Sequence, residues 1–423
     1  MDQNTKSVKL TPGDLKTLQL LSRNKKLSER LDSFKSFMSS QALTYKRTVL
    51  SAADRIVNVA DPFTGLERSM LMFASNNYLG LATHPHVKRR VKKAIDEFGC
   101  GIGGPPLLNG YIGLIEELEE RLAAFKSQEA AVVFSSGFMA NLGVVSGLAE
   151  QNDIIIYDEL SHASFYDGIR LTKAKAIPFV HNDVEQLAAL IDQHSGESNG
   201  TVFVCTEGVY SMDGDLAPLD EISRICKKAN AILIVDDAHG TGVLGTDGSG
   251  TASHFNCEEG IDITMGTFSK VFATCGGFLT ASSDLIEYLR FHARPYIFSA
   301  SIPPPVAAAV LGGIEVIENE PWLRMQLQSN VKYAIEKLRP FGFYATPSAA
   351  IITLALPPQM DIRKAALLFH EKNIFINAVE YPAVPASKQR FRISIMATHT
   401  KLDIDALSAA IGEIWNDAKV YLD

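Results

Sequence analysis

The chain has 423 residues, of which 46% are apolar and 21% charged, a composition typical of a globular protein with room for a large and a smaller domain. Its net charge of −8 argues against nucleic acid as a partner, because phosphate binding requires a basic surface. The five cysteines are scattered and form no C-x-x-C pair, so we expect reduced thiols and no metal site. No secretory signal opens the sequence, and we expect a cytoplasmic protein.

The first fifty residues are basic, with ten Lys/Arg against four Asp/Glu, a local net charge of +6. Between Asp14 and Met38 apolar residues recur at helical spacing, which predicts an amphipathic helix. Such a helix either packs on the body of the protein or a second subunit, or lies against the anionic inner face of a membrane. We assign residues 1–70 to an N-terminal arm.

From Leu71 to Ile302, short apolar runs alternate with segments of helical periodicity. This alternation predicts an α/β domain over residues 71–302, with a mostly parallel sheet covered by helices on both faces. The predicted strands are Ala130–Phe134, Ile154–Tyr157, Thr201–Cys205, Ile232–Val235, Ile263–Met265 and Gly277–Thr280.

The remaining residues, 303–423, predict a smaller α+β unit. Its apolar runs are Ala350–Leu356, Ile374–Ala378 and Phe391–Ile395.

Polar residues follow several of the predicted strands, at the edge of the sheet where α/β proteins bind ligands. His162, Asp236 and Lys270 each come just after an apolar run, separated by 74 and then 34 residues. A carboxylate at the end of an apolar strand needs a cation, and a protonated pyridine nitrogen is one such cation. A desolvated lysine loses its charge and forms imines. Together these residues predict a pyridoxal-phosphate (PLP) site.

Two other interpretations of the site, a dinucleotide-binding enzyme and a non-catalytic subunit, fit the sequence less well. A dinucleotide-binding loop is suggested by the glycines of residues 99–104, but this stretch follows a helical segment and leads into Pro105 and Pro106. A non-catalytic partner subunit would be favoured by loss of the lysine, and Lys270 is present. A PLP aminotransferase or lyase on the same fold is the nearest enzyme alternative.

From about Phe73 to Thr400 the chain resembles the α-oxoamine synthases, a branch of the fold-type-I PLP enzymes. The motifs that carry the resemblance, in chain order, are those of residues 73–81, 161–164 (Ser-His-Ala-Ser), 207–212, 236–239 (Asp-Asp-Ala-His) and 266–270 (Gly-Thr-Phe-Ser-Lys). The resemblance implies a large PLP-binding domain with a seven-stranded sheet, a smaller C-terminal domain and a homodimer with a shared active site. It also implies a decarboxylating condensation of a small amino acid with an acyl-CoA.

The resemblance further implies a role for individual residues. Lys270 would hold PLP as a Schiff base and then act as the catalytic base, Asp236 would hold the pyridinium proton, and His162 would stack on the ring. The other implied cofactor contacts are His239 and Ser211 to the phenolic oxygen, Gly137, Phe138 and Thr267 to the phosphate, and Ser299 to the phosphate from the neighbouring subunit. Arg392 would grip the substrate carboxylate, for which a planar guanidinium is suited. Asn77 would lie near the substrate across the dimer interface.

Within the family, several motifs look most like those of bacterial serine palmitoyltransferases, which favours L-serine and a long-chain acyl-CoA as substrates. Relatives of the 8-amino-7-oxononanoate synthase or 2-amino-3-ketobutyrate CoA ligase type, which use Ala or Gly, remain alternatives. The chain departs from the serine palmitoyltransferase pattern at Pro105 and Pro106, where Ser-Arg is usual, and at Glu380, where some members carry Arg. Loss of a cation near the thioester suggests an acyl carrier protein as an alternative donor.

Overall fold

The structure is a computed structural model that describes residues 29, 31–33, 35, 44–195, 200–380, 383–417 and 420. Of the expected N-terminal helix, residues 29, 31–33 and 35 are helical, and the rest lies outside the described residues. The strands are β1 (Thr48–Val49), β2 (Ile56–Ala60), β3 (Glu67–Met72), β4 (Ala130–Phe134), β5 (Ile154–Asp158), β6 (Lys175–Phe179), β7 (Val202–Glu207), β8 (Ile232–Asp236), β9 (Ile263–Thr267), β10 (Gly277–Ala281), β11 (Phe343–Tyr344), β12 (Ile351–Ala355), β13 (Ile374–Phe375), β14 (Asn377–Val379) and β15 (Arg390–Ser394).

Between residues 85 and 415, thirteen α-helices lie in the described part of the chain. They are α1 (Pro85–Phe98), α2 (Gly113–Phe125), α3 (Gly137–Leu148), α4 (Ala163–Arg170), α5 (Val184–Ser195), α6 (Leu219–Ala229), α7 (Thr251–Phe255), α8 (Ser283–His292), α9 (Arg294–Ile297), α10 (Pro304–Asn319), α11 (Trp322–Leu338), α12 (Ile362–Glu371) and α13 (Lys401–Trp415). None of these helices is both long enough and apolar enough to cross a membrane.

The central sheet has seven strands in the order β4-β10-β9-β8-β7-β5-β6. Strands β5 to β9 are parallel, and β10 is antiparallel to its neighbours β4 and β9. All residues of β7, β9 and β10 are buried, which explains why these strands appear in the sequence as continuous apolar runs. The predicted α/β fold with a mostly parallel seven-stranded sheet is confirmed.

The strand β6 was not predicted from the sequence. It lies at the edge of the sheet, where four of its five residues are not buried and Pro178 is tolerated. The apolar run that marks a central strand is therefore absent from it.

Two further four-stranded sheets lie outside the central sheet. The sheet β11-β12-β15-β14 is antiparallel and places Arg392 opposite Thr353. The sheet β1-β2-β3-β13 pairs the C-terminal strand β13 with β3. Residues 48–72, most of which we placed in the N-terminal arm, thus contain three strands. The single apolar run predicted at Ile374–Ala378 is divided between β13 and β14, which join different sheets.

A buried ion pair joins α2 to the loop after β8. The Lys126 ammonium donates to Asp237 Oδ2 at 2.7 Å and to Thr241 Oγ1 at 2.8 Å, and both partners of the pair are buried. Asp237 also accepts from the hydroxyl and the N–H of Thr251 at 2.6 and 3.1 Å. This aspartate therefore fixes the backbone that follows Asp236.

Replacing Lys126 by methionine is expected to destabilise the protein by about 3 kcal/mol or more, because it leaves a buried carboxylate without its cation. The measurement is the midpoint of thermal unfolding. The exposed Lys93, which pairs with Glu97 one helical turn away, provides the control Lys93→Met. An equal midpoint for the two variants would contradict the prediction.

Candidate active site

Asp236 is the last residue of β8 and is 4% exposed. Its Oδ2 accepts a hydrogen bond from the side-chain amide of Asn141 at 2.7 Å, and its Oδ1 accepts one from the N–H of Ala238 at 3.0 Å. Two donors thus orient a buried carboxylate at the carboxyl edge of the sheet. Asn141, in α3, was not singled out from the sequence.

Lys270 follows β9; its side chain is half-buried, and its ammonium lies within electrostatic reach of Asp236. Burial lowers its pKa, and the charge of Arg392 acts in the same direction, whereas the charge of Asp236 opposes the shift. The net effect is a lowered pKa for the Lys270 ammonium. A larger fraction of the side chain is therefore a neutral amine, the form that attacks a carbonyl or accepts a proton.

His162 caps the N-terminus of α4, and its ring is oriented by Ser164. The hydroxyl of Ser164 lies 2.7 Å from Nδ1 of His162 and accepts from the amide of Asn141 at 2.9 Å. The backbone N–H of Ser164 also donates to Nδ1 at 3.3 Å, so Nδ1 is an acceptor and the Ser164 hydroxyl donates to it. Burial and the charge of Lys270 lower the pKa of His162, against the opposing charge of Asp236. The neutral ring therefore carries its proton on Nε2.

His239 is buried behind the site. The hydroxyl of Tyr78 donates its one hydrogen to Asn76 Oδ1 at 3.1 Å and lies 2.7 Å from Nδ1 of His239. Burial lowers the pKa of His239 well below its usual range, and the charges of Lys270 and Arg392 add to the shift. His239 is therefore neutral, and its ring is fixed by a tyrosine that the sequence did not identify as a site residue.

The N-terminus of α3 offers a cradle for a phosphate. Gly137 is its first residue, and a Cβ at this position would lie 2.8 Å from the hydroxyl of Thr267. The absence of a side chain on Gly137 therefore lets the start of the helix lie against Thr267, and the first N–H groups of a helix bind anions readily. Phe138 is partly exposed and meets His162 edge-on, with ring centroids 6.3 Å apart. A helix terminus, a buried carboxylate and a lysine whose pKa is lowered together suit PLP.

Arg392 extends from β15 towards the loop after β7. Its Nε donates to the carbonyl of Ser211 at 2.6 Å, and both of its terminal nitrogens donate to Asn76 Oδ1 at 3.1 and 3.2 Å. These acceptors are neutral, and no carboxylate of the described residues forms an ion pair with this buried guanidinium. Arg392 therefore retains a positive charge for an anionic substrate group.

The Arg392→Lys variant is expected to raise the KM for the amino acid about 10- to 100-fold with a smaller change in kcat, because lysine cannot form the two-pronged contact. The measurement is steady-state kinetics at saturating acyl donor. The Arg363→Lys variant serves as the control, since Arg363 pairs with Glu380 in the same part of the chain. An unchanged KM in Arg392→Lys would exclude it from the carboxylate site.

Three further residues implied by the family resemblance make only contacts within the chain itself. Asn77 donates to the Ala53 carbonyl and accepts from the Ala82 N–H, both at 3.3 Å, so its side chain stabilises a local turn. Ser299 lines a small cavity with Ser135. Ser211 contacts Arg392 through its carbonyl. Their roles towards a cofactor or a partner subunit stay predictions.

Glu207 belongs to the motif of residues 207–212, but no catalytic or binding role was predicted for it from the sequence. It ends β7 directly beside Asp236 in the sheet register and is buried. Burial raises its pKa well above the usual range, and the nearby charge of Asp236 adds to the shift. Glu207 therefore carries a proton and adds no second negative charge beside Asp236.

The two positions at which the chain departs from the serine palmitoyltransferase pattern lie in different surroundings. Pro105 and Pro106 start a single π-helical turn that ends at Gly110. Glu380 is buried; its carboxylate pairs with Arg363 at 3.2 Å and accepts from the Tyr45 hydroxyl at 2.6 Å. The negative charge of Glu380 is thus neutralised within its own part of the fold.

Comparison with known proteins agrees with this geometry. The family model of class I and II aminotransferases matches residues 68–411. An 8-amino-7-oxononanoate synthase from Lysinibacillus sphaericus is 41% identical over 82% of this chain and 89% of its own length. A serine palmitoyltransferase from Sphingobacterium spiritivorum is 36% identical over 93% of this chain and 98% of its own.

Solved structures show the same relationship. A serine palmitoyltransferase variant from S. paucimobilis with a bound PLP–myriocin aldimine is 32% identical, with a TM-score of 0.84 over 92% of this chain and 98% of its own. The residues described above fit the same cofactor. The chain therefore belongs to the α-oxoamine synthases, PLP-dependent enzymes within the class I and II aminotransferase family.

Proposed function

We propose that the enzyme condenses L-serine with a long-chain acyl-CoA, releasing CO₂ and CoA and forming an α-amino ketone of the 3-ketosphinganine type. The observation that carries this proposal is the share of the chain over which it is similar to a serine palmitoyltransferase. The similarity to the Sphingobacterium serine palmitoyltransferase spans 93% of the chain, whereas that to the Lysinibacillus 8-amino-7-oxononanoate synthase spans 82%.

Each residue of the site would have a separate role in this reaction. PLP, when bound, supplies an electron sink for negative charge at the substrate Cα. Asp236 would hold a proton on the ring nitrogen, and the neutral amine of Lys270 would remove the proton from Cα. Arg392 would hold the substrate carboxylate. The Nε2–H of His162 would donate to the thioester oxygen as negative charge develops on it, where a preorganised donor is most effective.

The second candidate is a reaction of the 8-amino-7-oxononanoate synthase type with alanine, which the 41% identity favours. The test supplies serine, alanine or glycine with palmitoyl-CoA or pimeloyl-CoA and identifies products by mass spectrometry. Titration of the visible absorption band with each amino acid gives an independent reading of amino-acid preference. Efficient turnover of alanine with pimeloyl-CoA, and none of serine with palmitoyl-CoA, would replace the first proposal by the second.

The acyl donor is a separate question, because Pro105 and Pro106 stand where a cation is usual in bacterial serine palmitoyltransferases. An acyl chain presented by an acyl carrier protein is the alternative to free acyl-CoA. The two donors are compared at equal concentration with the purified enzyme. Efficient turnover of acyl-CoA without a carrier would rule out a carrier-dependent enzyme.

We also propose a homodimer in which Ser299 and Asn77 reach the partner's site. Analytical ultracentrifugation measures the mass of the assembly, and mixing Lys270→Ala with Ser299→Ala subunits tests whether each site uses both chains. Recovery of activity on mixing is the expected result. A monomer in solution, or no recovery, would contradict a shared site.

Peripheral membrane contact through the basic N-terminal segment of a cytoplasmic enzyme is a further part of this proposal. Deleting residues 1–43 removes most of its basic residues and keeps Tyr45 with its contact to Glu380. Binding to vesicles of anionic lipid is compared for the full chain and the truncated chain. Equal binding would exclude this role.

A further inference from the structure

His181, two residues after β6, lies between the carboxylate of Asp158, the last residue of β5, and that of Asp215, in the loop after β7. Its Nδ1 is 3.1 Å from both carboxylate oxygens of Asp158, and its Nε2 is 2.7 Å from Asp215 Oδ2. An imidazole donates through both nitrogens only when it is protonated. Burial alone would lower the pKa of His181, but its hydrogen bonds to Asp158 and Asp215 raise it to about 10. The side chain is therefore an imidazolium at neutral pH.

The next residue repeats the same bridge. The N–H of Asn182 donates to Asp158 Oδ2 at 3.0 Å, and its side-chain amide donates to Asp215 Oδ2 at 3.0 Å and to the Leu216 carbonyl at 3.2 Å. Asn182 has a φ of 58°, in the left-handed region that asparagine tolerates better than most residues. Tyr210 packs edge-on against the His181 ring, with centroids 4.4 Å apart. Several independent contacts thus converge on this one turn.

The two loops joined at His181 both lead to the active site. Asp158 ends β5, and its side chain and carbonyl accept from the N–H groups of Leu160 and Ser161, forming the turn that leads directly to His162. Asp215 lies four residues after Ser211, whose carbonyl accepts from Arg392. Movement of the first loop would therefore displace His162, which we place against PLP. Movement of the second would displace Ser211, whose carbonyl holds the Arg392 guanidinium.

We propose that His181 is a positioning residue: its imidazolium holds together the loops that carry His162 and Ser211, and so sets the geometry of both sides of the PLP site. His181 acts through Asp158 and Asp215 and does not itself contact the reacting atoms. This inference rests on the PLP contacts proposed above for His162 and Ser211.

The test is the His181→Gln variant of the full chain, in which a neutral amide replaces the cation that donates to both carboxylates. The dissociation constant of PLP, measured by titrating protein freed of PLP, is expected to rise about tenfold or more, as when an orienting partner of a cofactor-site ligand is lost. Backbone amides of residues 159–164 and 208–216 are expected to exchange with solvent faster. The His181→Arg variant restores a cation with several donors and is expected to recover part of the PLP affinity.

The matched control is His254→Gln, since His254 is exposed and its ring meets Phe255 edge-on. His162→Ala is measured in parallel to separate two kinds of failure. If His162→Ala leaves PLP affinity unchanged, the proposed contact of His162 fails. If His162→Ala weakens PLP binding while His181→Gln keeps the wild-type dissociation constant and exchange rates, the positioning role of His181 is overturned. A His181→Gln variant that loses only thermal stability would overturn it as well.

Discussion

Lys270→Ala is expected to abolish turnover, with kcat falling by at least about 10³-fold. The side chain removed is a half-buried amine whose pKa is lowered by desolvation and which lies within electrostatic reach of Asp236. A methyl group can neither form the covalent bond to a cofactor aldehyde nor accept a proton from the substrate, and each of these roles is worth orders of magnitude in rate. The measurement is product formation at saturating substrates.

The fold of this variant should survive, so that the loss can be assigned to chemistry. The neighbouring Phe268, Val271 and Phe272 are buried and supply the local packing. The absorption spectrum gives a second readout, because the visible band of lysine-bound PLP should disappear. Lys93→Ala, on the exposed face of α1, should keep both the band and the activity. An active Lys270→Ala enzyme would refute the assignment of Lys270.

The strand ends of the central sheet were predictable from the sequence because its central strands are buried on both faces. An uninterrupted apolar run followed by a polar residue marks Asp236 and Thr267 almost to the residue. The edge strand β6 and the strands of residues 48–72 lack such runs. Strands β1 and β6 are largely unburied, and β2 and β3 alternate between buried and exposed residues over only five or six positions, so none of them contains a continuous apolar run.

The hydrogen-bond network of the site was beyond sequence reasoning. Asn141 and Asp236 are 95 positions apart, and Asn76 and Arg392 are 316 positions apart, so no local spacing indicates either pair. Individual roles came from the family resemblance, which names ligands of the cofactor and omits the residues that orient them. His181 illustrates this point: its importance lies in two carboxylates that only the fold brings together.

Glu380 shows what a motif comparison leaves out. Some relatives carry arginine at this position, so the comparison registers a departure from their pattern but not the residues that surround it. In the structure its carboxylate is engaged by Arg363 and Tyr45. The substitution is thus accommodated by residues on the same side of the fold.

Asp236→Asn is expected to lower kcat by about 10²- to 10³-fold while the protein remains folded. Asparagine has the same shape but no charge, so it cannot hold a proton on a ring nitrogen whose protonation makes the cofactor an electron sink. The amide is accommodated locally, because the N–H of Ala238 still finds an oxygen acceptor. Oδ1 of Asn141 is buried without a partner among the described residues, so a rotated Asn141 amide can accept from the new NH₂ group.

The adjacent aspartate provides the matched control. Asp237 is as buried as Asp236, but its carboxylate is bound by Lys126 and Thr251. Asp237→Asn should therefore lower the midpoint of thermal unfolding and leave kcat close to that of the wild type. A comparison of kcat and unfolding midpoint in both variants separates the two roles. If Asp236→Asn kept kcat within about threefold of wild type, a proton on the ring nitrogen would not be needed for the reaction, and the electron-sink role assigned through Asp236 would have to be abandoned.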